Sequence, residues 1–169
     1  MNNRSPFLWL MTAVLLTLGI GCTEAPNYPD EPVITFEGLN KGRVFQFTNG
    51  PVDSLILTFS FTDGDGDLSL IDSDSVDIFL TDSRLPTVPQ NFRFPLIDQE
   101  GTGSGISGIT TITVINTGNI CCIFEGELCA ADEDYPVDTF SYDIQIVDRA
   151  GNLSNVINTG VIEIACLGE

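Results

Sequence analysis

The sequence predicts an all-β protein, an antiparallel sandwich of about seven to nine short strands. Three observations point there. Apolar residues recur at period two in several segments. Clusters of Gly, Pro, Asn and Asp punctuate those segments. No stretch after residue 22 carries a helical period.

The first 22 residues stand apart from that pattern. Arg4 supplies a positive charge, and an apolar run follows through Phe7-Leu8-Trp9-Leu10-Met11 and Ala13-Val14-Leu15-Leu16. Small residues close the run at Gly19-Ile20-Gly21-Cys22. This is the charge, apolar core and small-residue exit of a secretory signal over residues 1–21. The run is shorter than the ~20 residues that a bilayer span needs. It also stops at small residues and a cysteine rather than at basic residues, which disfavours an uncleaved anchor.

Residues 22–32 form the next unit. Pro26, Pro29 and Pro32 forbid regular structure there, while Glu24, Asp30 and Glu31 keep it solvated. A semi-extended tether is expected, followed by one domain over 33–169. Within it Leu55, Leu57, Phe59 and Phe61 alternate with Ser54, Ile56, Thr58 and Ser60. Val76, Ile78 and Leu80 alternate with Asp77, Phe79 and Thr81; Phe140, Tyr142, Ile144 and Ile146 alternate with Ser141, Asp143, Gln145 and Val147. Shorter strand candidates are Ile34–Phe36, Arg43–Phe47, Phe92–Leu96, Ile109–Ile115 and Val156–Ile164. The glycine-rich stretch 98–108 lacks the lysine and the strand-to-helix setting of a phosphate cradle and reads as a flexible loop. The string Val-Ile-Asn-Thr-Gly occurs at 114–118 and again at 156–160, each time marking a bulge or turn at a strand end.

The sharpest motif is Asp63-Gly64-Asp65-Gly66-Asp67, directly after the strand that ends at Phe61. Carboxylates at i, i+2 and i+4 can fold around one hard cation, and calcium takes six to eight oxygen ligands. Asp72, Asp74 and, from across the sandwich end, Asp148 are candidate further ligands. The competing reading is a solvated acidic turn with Asp and Gly as ordinary turn formers. The regular spacing of three aspartates favours a structural Ca2+. That spacing resembles an EF-hand loop at Asp63, Asp65, Asp67, Leu70 and Asp74. It departs from one at Leu68, where glycine is usual, at Asp74, where glutamate is usual, and in following a strand, so only the ligand logic carries over.

Four cysteines follow Cys22: Cys121, Cys122, Cys129 and Cys166. An even count in an exported chain implies two disulfides. A Cys121–Cys122 bond would be strained, and adjacent residues of a strand face opposite ways. One of the pair is therefore expected to meet Cys129 and the other Cys166, in either assignment. A four-thiolate zinc site is the alternative, which the spacing and an oxidising compartment disfavour.

Charge and composition exclude several functions. The net charge is −18, and removing the segment that holds Arg4 takes it to −19. Such a chain has no electrostatic route to nucleic acid or to anionic headgroups. Histidine is absent, which removes Ser-His-Asp and Cys-His chemistry. Lys41 is the single lysine, and the single tryptophan, Trp9, lies in the signal. Carboxylates for a glycosidase are plentiful, but the aromatic platforms of a sugar cleft are few, with Tyr142 alternating with core residues.

Two resemblances add to this reading. Leu18-Gly19-Ile20-Gly21-Cys22 resembles the lipobox of bacterial lipoproteins, although Leu18 stands four residues before the cysteine rather than three. The resemblance implies lipidation at Cys22, membrane attachment through the lipid alone and, with Thr23 next, outer-membrane sorting. Asp148-Arg149-Ala150-Gly151-Asn152, with Phe61-Thr62-Asp63-Gly64-Asp65-Gly66-Asp67, resembles bacterial immunoglobulin-like and cadherin-like modules and uncharacterised immunoglobulin-like envelope lipoproteins. It implies an immunoglobulin-like sandwich in an adhesion or scaffold role, without enzymatic activity. The expected function is thus a non-enzymatic envelope lipoprotein that contacts a protein partner. A calcium-dependent adhesive or glycan-binding module is the alternative, and a carboxylate-based hydrolase a remote one.

Overall fold

A computed structural model describes residues 27–46, 51–69, 75–95, 97, 105–117 and 120–167. The signal segment and Cys22 lie outside these residues, as do Leu70, Asp72 and Asp74. The described residues contain strands and no helix. In chain order the strands are β1 (Val33–Leu39), β2 (Arg43–Phe45), β3 (Ser54–Asp63), β4 (Ile78–Asp82), β5 (Gln90–Phe92) and β6 (Ile106–Ile115), then β7 (Ile123–Phe124), β8 (Glu127–Leu128), β9 (Val137–Phe140), β10 (Tyr142–Ile146), β11 (Ile157–Asn158) and β12 (Ile162–Ala165).

One sheet has the order β1-β3-β6, a second β11-β10-β4-β5, a third β2-β12-β9, and β7-β8 is a small hairpin. Pairing is antiparallel throughout with one exception: β2 runs parallel to β12, with Val44 opposite Ile164. The expected fully antiparallel sandwich is corrected at that edge.

The strands among the described residues also outnumber the seven to nine expected, because two predicted strands each break in two and the β7–β8 hairpin was not expected. The Phe140–Val147 candidate divides into β9 and β10 at Ser141, and the Val156–Ile164 candidate into β11 and β12 at Thr159–Val161. At these breaks side chains replace the ladder. The Tyr142 N–H donates to Thr159 Oγ1 at 2.9 Å. The Gly160 N–H donates to Asn158 Oδ1 at 2.8 Å, and Gly160 takes a φ of 73°, a left-handed conformation that glycine adopts without steric cost. The second and third sheets therefore run on from one another through the same two chain segments.

The sheets bury their alternating faces against one another. Leu55, Leu57, Phe59 and Phe61 of β3 join Ile112 and Val114 of β6, Leu80 of β4, Ile144 and Ile146 of β10 and Ile162 and Ile164 of β12 in one cluster. Tyr142 lies in that cluster, as its alternation predicted. Phe94 closes the core edge-on to Phe61, with ring centroids 5.4 Å apart. Each fully buried Leu, Ile or Phe contributes about 1.5–3 kcal/mol relative to an exposed one.

Asp77 breaks the expected alternation. It is buried, and its carboxylate accepts the Phe94 N–H at 2.7 Å, which ties the chain after β5 to the start of β4. The glycine-rich loop is also shorter than expected, since residues 106–108 belong to β6 while 98–104 lie outside the described residues. Gly108 sits opposite Phe61, whose ring leaves no room for a Cβ there.

The disulfides resolve the open assignment. Cys121 bonds Cys129, eight residues on, and Cys122 bonds Cys166, 44 residues on. Cys122 and Cys166 are the buried pair, so the inward-facing member of the adjacent pair pins the last strand. With all four thiols consumed, no four-thiolate zinc site exists.

Candidate metal centre

The inward row of β3 does not stop at Phe61. Its next inward position is Asp63, which has no exposed surface. A carboxylate thus ends a line of core side chains. The chain then turns through Gly64–Ser69, with φ of 69° at Gly66 and 74° at Ser69. This turn carries Asp65 and Asp67 back over Asp63, and the Asp67 N–H donates to Asp63 Oδ2 at 2.8 Å.

The fourth carboxylate comes from the other side of the fold. Asp148 follows β10 and is buried. It shapes the Asp148–Asn152 turn by accepting the Asn152 N–H at 2.7 Å and the Asn152 Nδ2–H at 2.9 Å. That turn clasps the acidic loop. The Ala150 N–H donates to Asp67 Oδ2 at 3.0 Å. Arg149 donates through Nε to the Ser69 carbonyl at 2.7 Å and through Nη2 to the Leu68 carbonyl at 3.1 Å, while Leu68 itself plugs into the core. Asp63, Asp65, Asp67 and Asp148 each bring an oxygen within 4.8 Å of those of the other three.

The electrostatics of this arrangement are unfavourable in the absence of a cation. Oδ1 of Asp63, of Asp65 and of Asp67 are all buried without a hydrogen-bond donor. Ion pairs at Lys41–Asp53, Arg84–Asp82 and Arg84–Asp138 lie away from this cluster. Burial pushes the Asp63 carboxyl up to about 6, opposed by the Asp67 N–H and reinforced by the charges of Asp65, Asp67 and Asp148. Asp67 is raised too, by burial first and then by the Asp148 and Asp65 charges. Uncompensated buried polar oxygens are costly, and a bound cation would satisfy all three.

The donor set is all oxygen, the preference of a hard divalent cation rather than of zinc or copper. Oxygens around one calcium at about 2.4 Å lie no more than about 4.8 Å apart, which the cluster meets. The residues therefore form an acidic cluster able to coordinate a metal ion. Of the six ligands predicted from the sequence, Asp63, Asp65, Asp67 and Asp148 are brought together.

Two contributors escape sequence reasoning. Arg149 acts as a clamp on loop carbonyls, although its turn motif is visible in the sequence. The segment before β1 also reaches the site, since the Gly64 N–H donates to the Pro29 carbonyl at 2.8 Å. No sequence signal marks that contact.

In comparison with known proteins, no family model, no curated protein and no solved structure matches this chain.

Proposed function

We infer that this chain is a non-enzymatic envelope lipoprotein whose immunoglobulin-like domain is made rigid at one end by a structural calcium ion and serves protein contact or scaffolding at the outer membrane. The observation that carries the metal reading is the set of three buried, donorless carboxylate oxygens on Asp63, Asp65 and Asp67, closed over by Asp148. Calcium fits better than magnesium. Magnesium demands near-octahedral geometry and holds its waters, whereas a flexible ring of several carboxylates suits calcium. Two disulfides and an all-β core suit an exported module. The immunoglobulin-like reading is supported by the β1-β3-β6 sheet lying across one core from the sheets that share β9–β10 and β11–β12. Anchoring rests on the lipobox-like residues at Cys22.

The test is thermal unfolding of the full-length chain in detergent, with calcium and with chelator. Calcium at about 100 times its dissociation constant should stabilise by ~2.7 kcal/mol. The rise should disappear in Asp65→Asn and should not be reproduced by magnesium. A melting point indifferent to calcium would reduce the cluster to an acidic turn. Lipidation is checked separately: palmitate label should enter the wild-type chain and be absent from Cys22→Ser.

A further inference from the structure

The acidic loop is covered from outside by the segment that leads into β1. The Gly64 N–H donates to the Pro29 carbonyl at 2.8 Å. A Cβ on Gly64 would stand 2.5 Å from the Tyr28 carbonyl oxygen and 2.7 Å from that of Pro29. Gly64 has no left-handed φ, so close approach of the leader, rather than backbone conformation, is what keeps this position small. Gly105, just before β6, repeats the pattern. Its Cβ would lie 2.8 Å from the Tyr28 ring and 2.8 Å from the Asp63 carbonyl oxygen. Pro32 is buried as the chain enters β1. The leader thus packs on the residues that flank Asp63 and Asp65, two of the four clustered carboxylates.

We propose that cation occupancy of the Asp63–Asp65–Asp67–Asp148 cluster is coupled to docking of residues 28–32, so that the cation sets how much of the N-terminal segment is free. This rests on the metal reading above, which the fully buried, donorless Oδ1 of Asp63 supports. Without a cation the carboxylates repel, and the Gly64–Ser69 loop loses the fixed shape that presents the Gly64 N–H to Pro29. With a cation the loop is held, and the leader finds its hydrogen bond and its two glycine-sized recesses ready. The coupling is reciprocal: whatever docks the leader must also tighten the cation.

The consequence concerns reach. Tyr28 lies six positions after Cys22, and Val33 eleven. A fully extended chain spans about 3.3–3.6 Å per residue, so a docked leader allows at most about 20 Å from Cys22 and a released one about 40 Å. In a chain lipidated at Cys22, the cation would hold the domain's metal-bearing end close to the membrane, and its loss would let the domain stand off.

The test uses the full-length chain in detergent and calcium alone as probe. Amide exchange at Gly64, whose N–H bonds the Pro29 carbonyl, should slow when calcium replaces chelator. Tyr28→Ala alters no ligand and lies outside the loop. It should weaken calcium binding by about fivefold or more, the usual lower range of such coupling, while melting in chelator stays near wild type. Gly64→Ala, which crowds the leader from the loop side, should weaken binding in the same direction. Unchanged exchange at Gly64 on calcium addition, or equal calcium affinity in wild type and Tyr28→Ala, overturns the coupling while leaving the calcium site intact. A flat calcium titration of the wild-type chain overturns both.

Discussion

Asp63 occupies a position that the strand pattern reserves for an apolar side chain, and its behaviour without metal follows from that. Its carboxyl is pushed up to about 6 from an ordinary 3.8, mainly by burial. The folded state therefore holds this proton more tightly than the unfolded state. The resulting stability is fully present below about pH 3.8 and is lost as pH rises through about 6. In chelator, the melting temperature should fall between pH 5 and pH 7.5, and Asp63→Asn should flatten that slope. In excess calcium the trend should reverse, because protons compete with the cation for the same oxygens. Asp65 and Asp148 differ in a second way. Asp65 Oδ1 has no donor and its charge adds to the repulsion on Asp63 and Asp67, so Asp65→Asn should abolish the calcium increment without destabilising the protein in chelator. Asp148 also accepts two hydrogen bonds from Asn152. Asp148→Asn should therefore cost about 1–3 kcal/mol in chelator as well, a contrast that chemical denaturation of the two variants would measure.

Among the elements, the two disulfides should contribute unequally. In the chain-entropy model the bridge spanning 44 residues contributes about 4 kcal/mol and the one spanning eight about 2.5 kcal/mol. The Cys122→Ser/Cys166→Ser double variant should accordingly melt below Cys121→Ser/Cys129→Ser, as calorimetry of the pair would register. The longer bridge also ties the hairpin region to the end of β12, whose Ile162 and Ile164 belong to the core. The sequence carried these elements to different depths. Long alternating strands such as β3 and β6 are legible because every second side chain is buried and the period repeats. The parallel pairing of β2 is not, since three residues hold too little pattern to fix direction or partner. Nor are the breaks at Ser141 and Thr159–Val161, where one threonine hydroxyl and one asparagine amide replace ladder bonds that alternation implies would continue. The site divides in the same way. Three ligands sit at local spacing in one loop, so they can be read directly. Asp148 was reachable only through the expectation that loops at one sandwich end converge. Tyr28 and Pro29 meet Gly64 through main-chain atoms, and the Tyr28 ring meets Gly105, contacts with glycines that leave no compositional trace.

At the scale of the whole molecule, a net charge of −18 acts on the compact state in two separable ways. Diffuse repulsion among exposed carboxylates is screened by any salt, with a Debye length near 10 Å at 0.1 M. The cluster is different: its four carboxylates lie within a few ångströms of one another, with Asp63 and Asp148 buried and Asp65 and Asp67 half-buried. Sodium chloride should therefore raise the melting temperature of the chelated protein gradually across about 0.01–0.5 M, a range over which the Debye length shrinks from about 30 Å to a few ångströms. Calcium should act by saturation at far lower concentration, and most of its increment should survive in high salt because bulk ions screen a buried site poorly. Melting curves on a grid of sodium chloride against calcium would separate the two contributions. If the calcium increment shrank in step with the salt increment and vanished at high ionic strength, calcium would be acting as a generic counter-ion on an acidic surface. An increment that persists, and that Asp65→Asn alone abolishes, would locate the effect in the four-carboxylate cluster. The surface charge would then serve solubility, while the buried charge serves the metal.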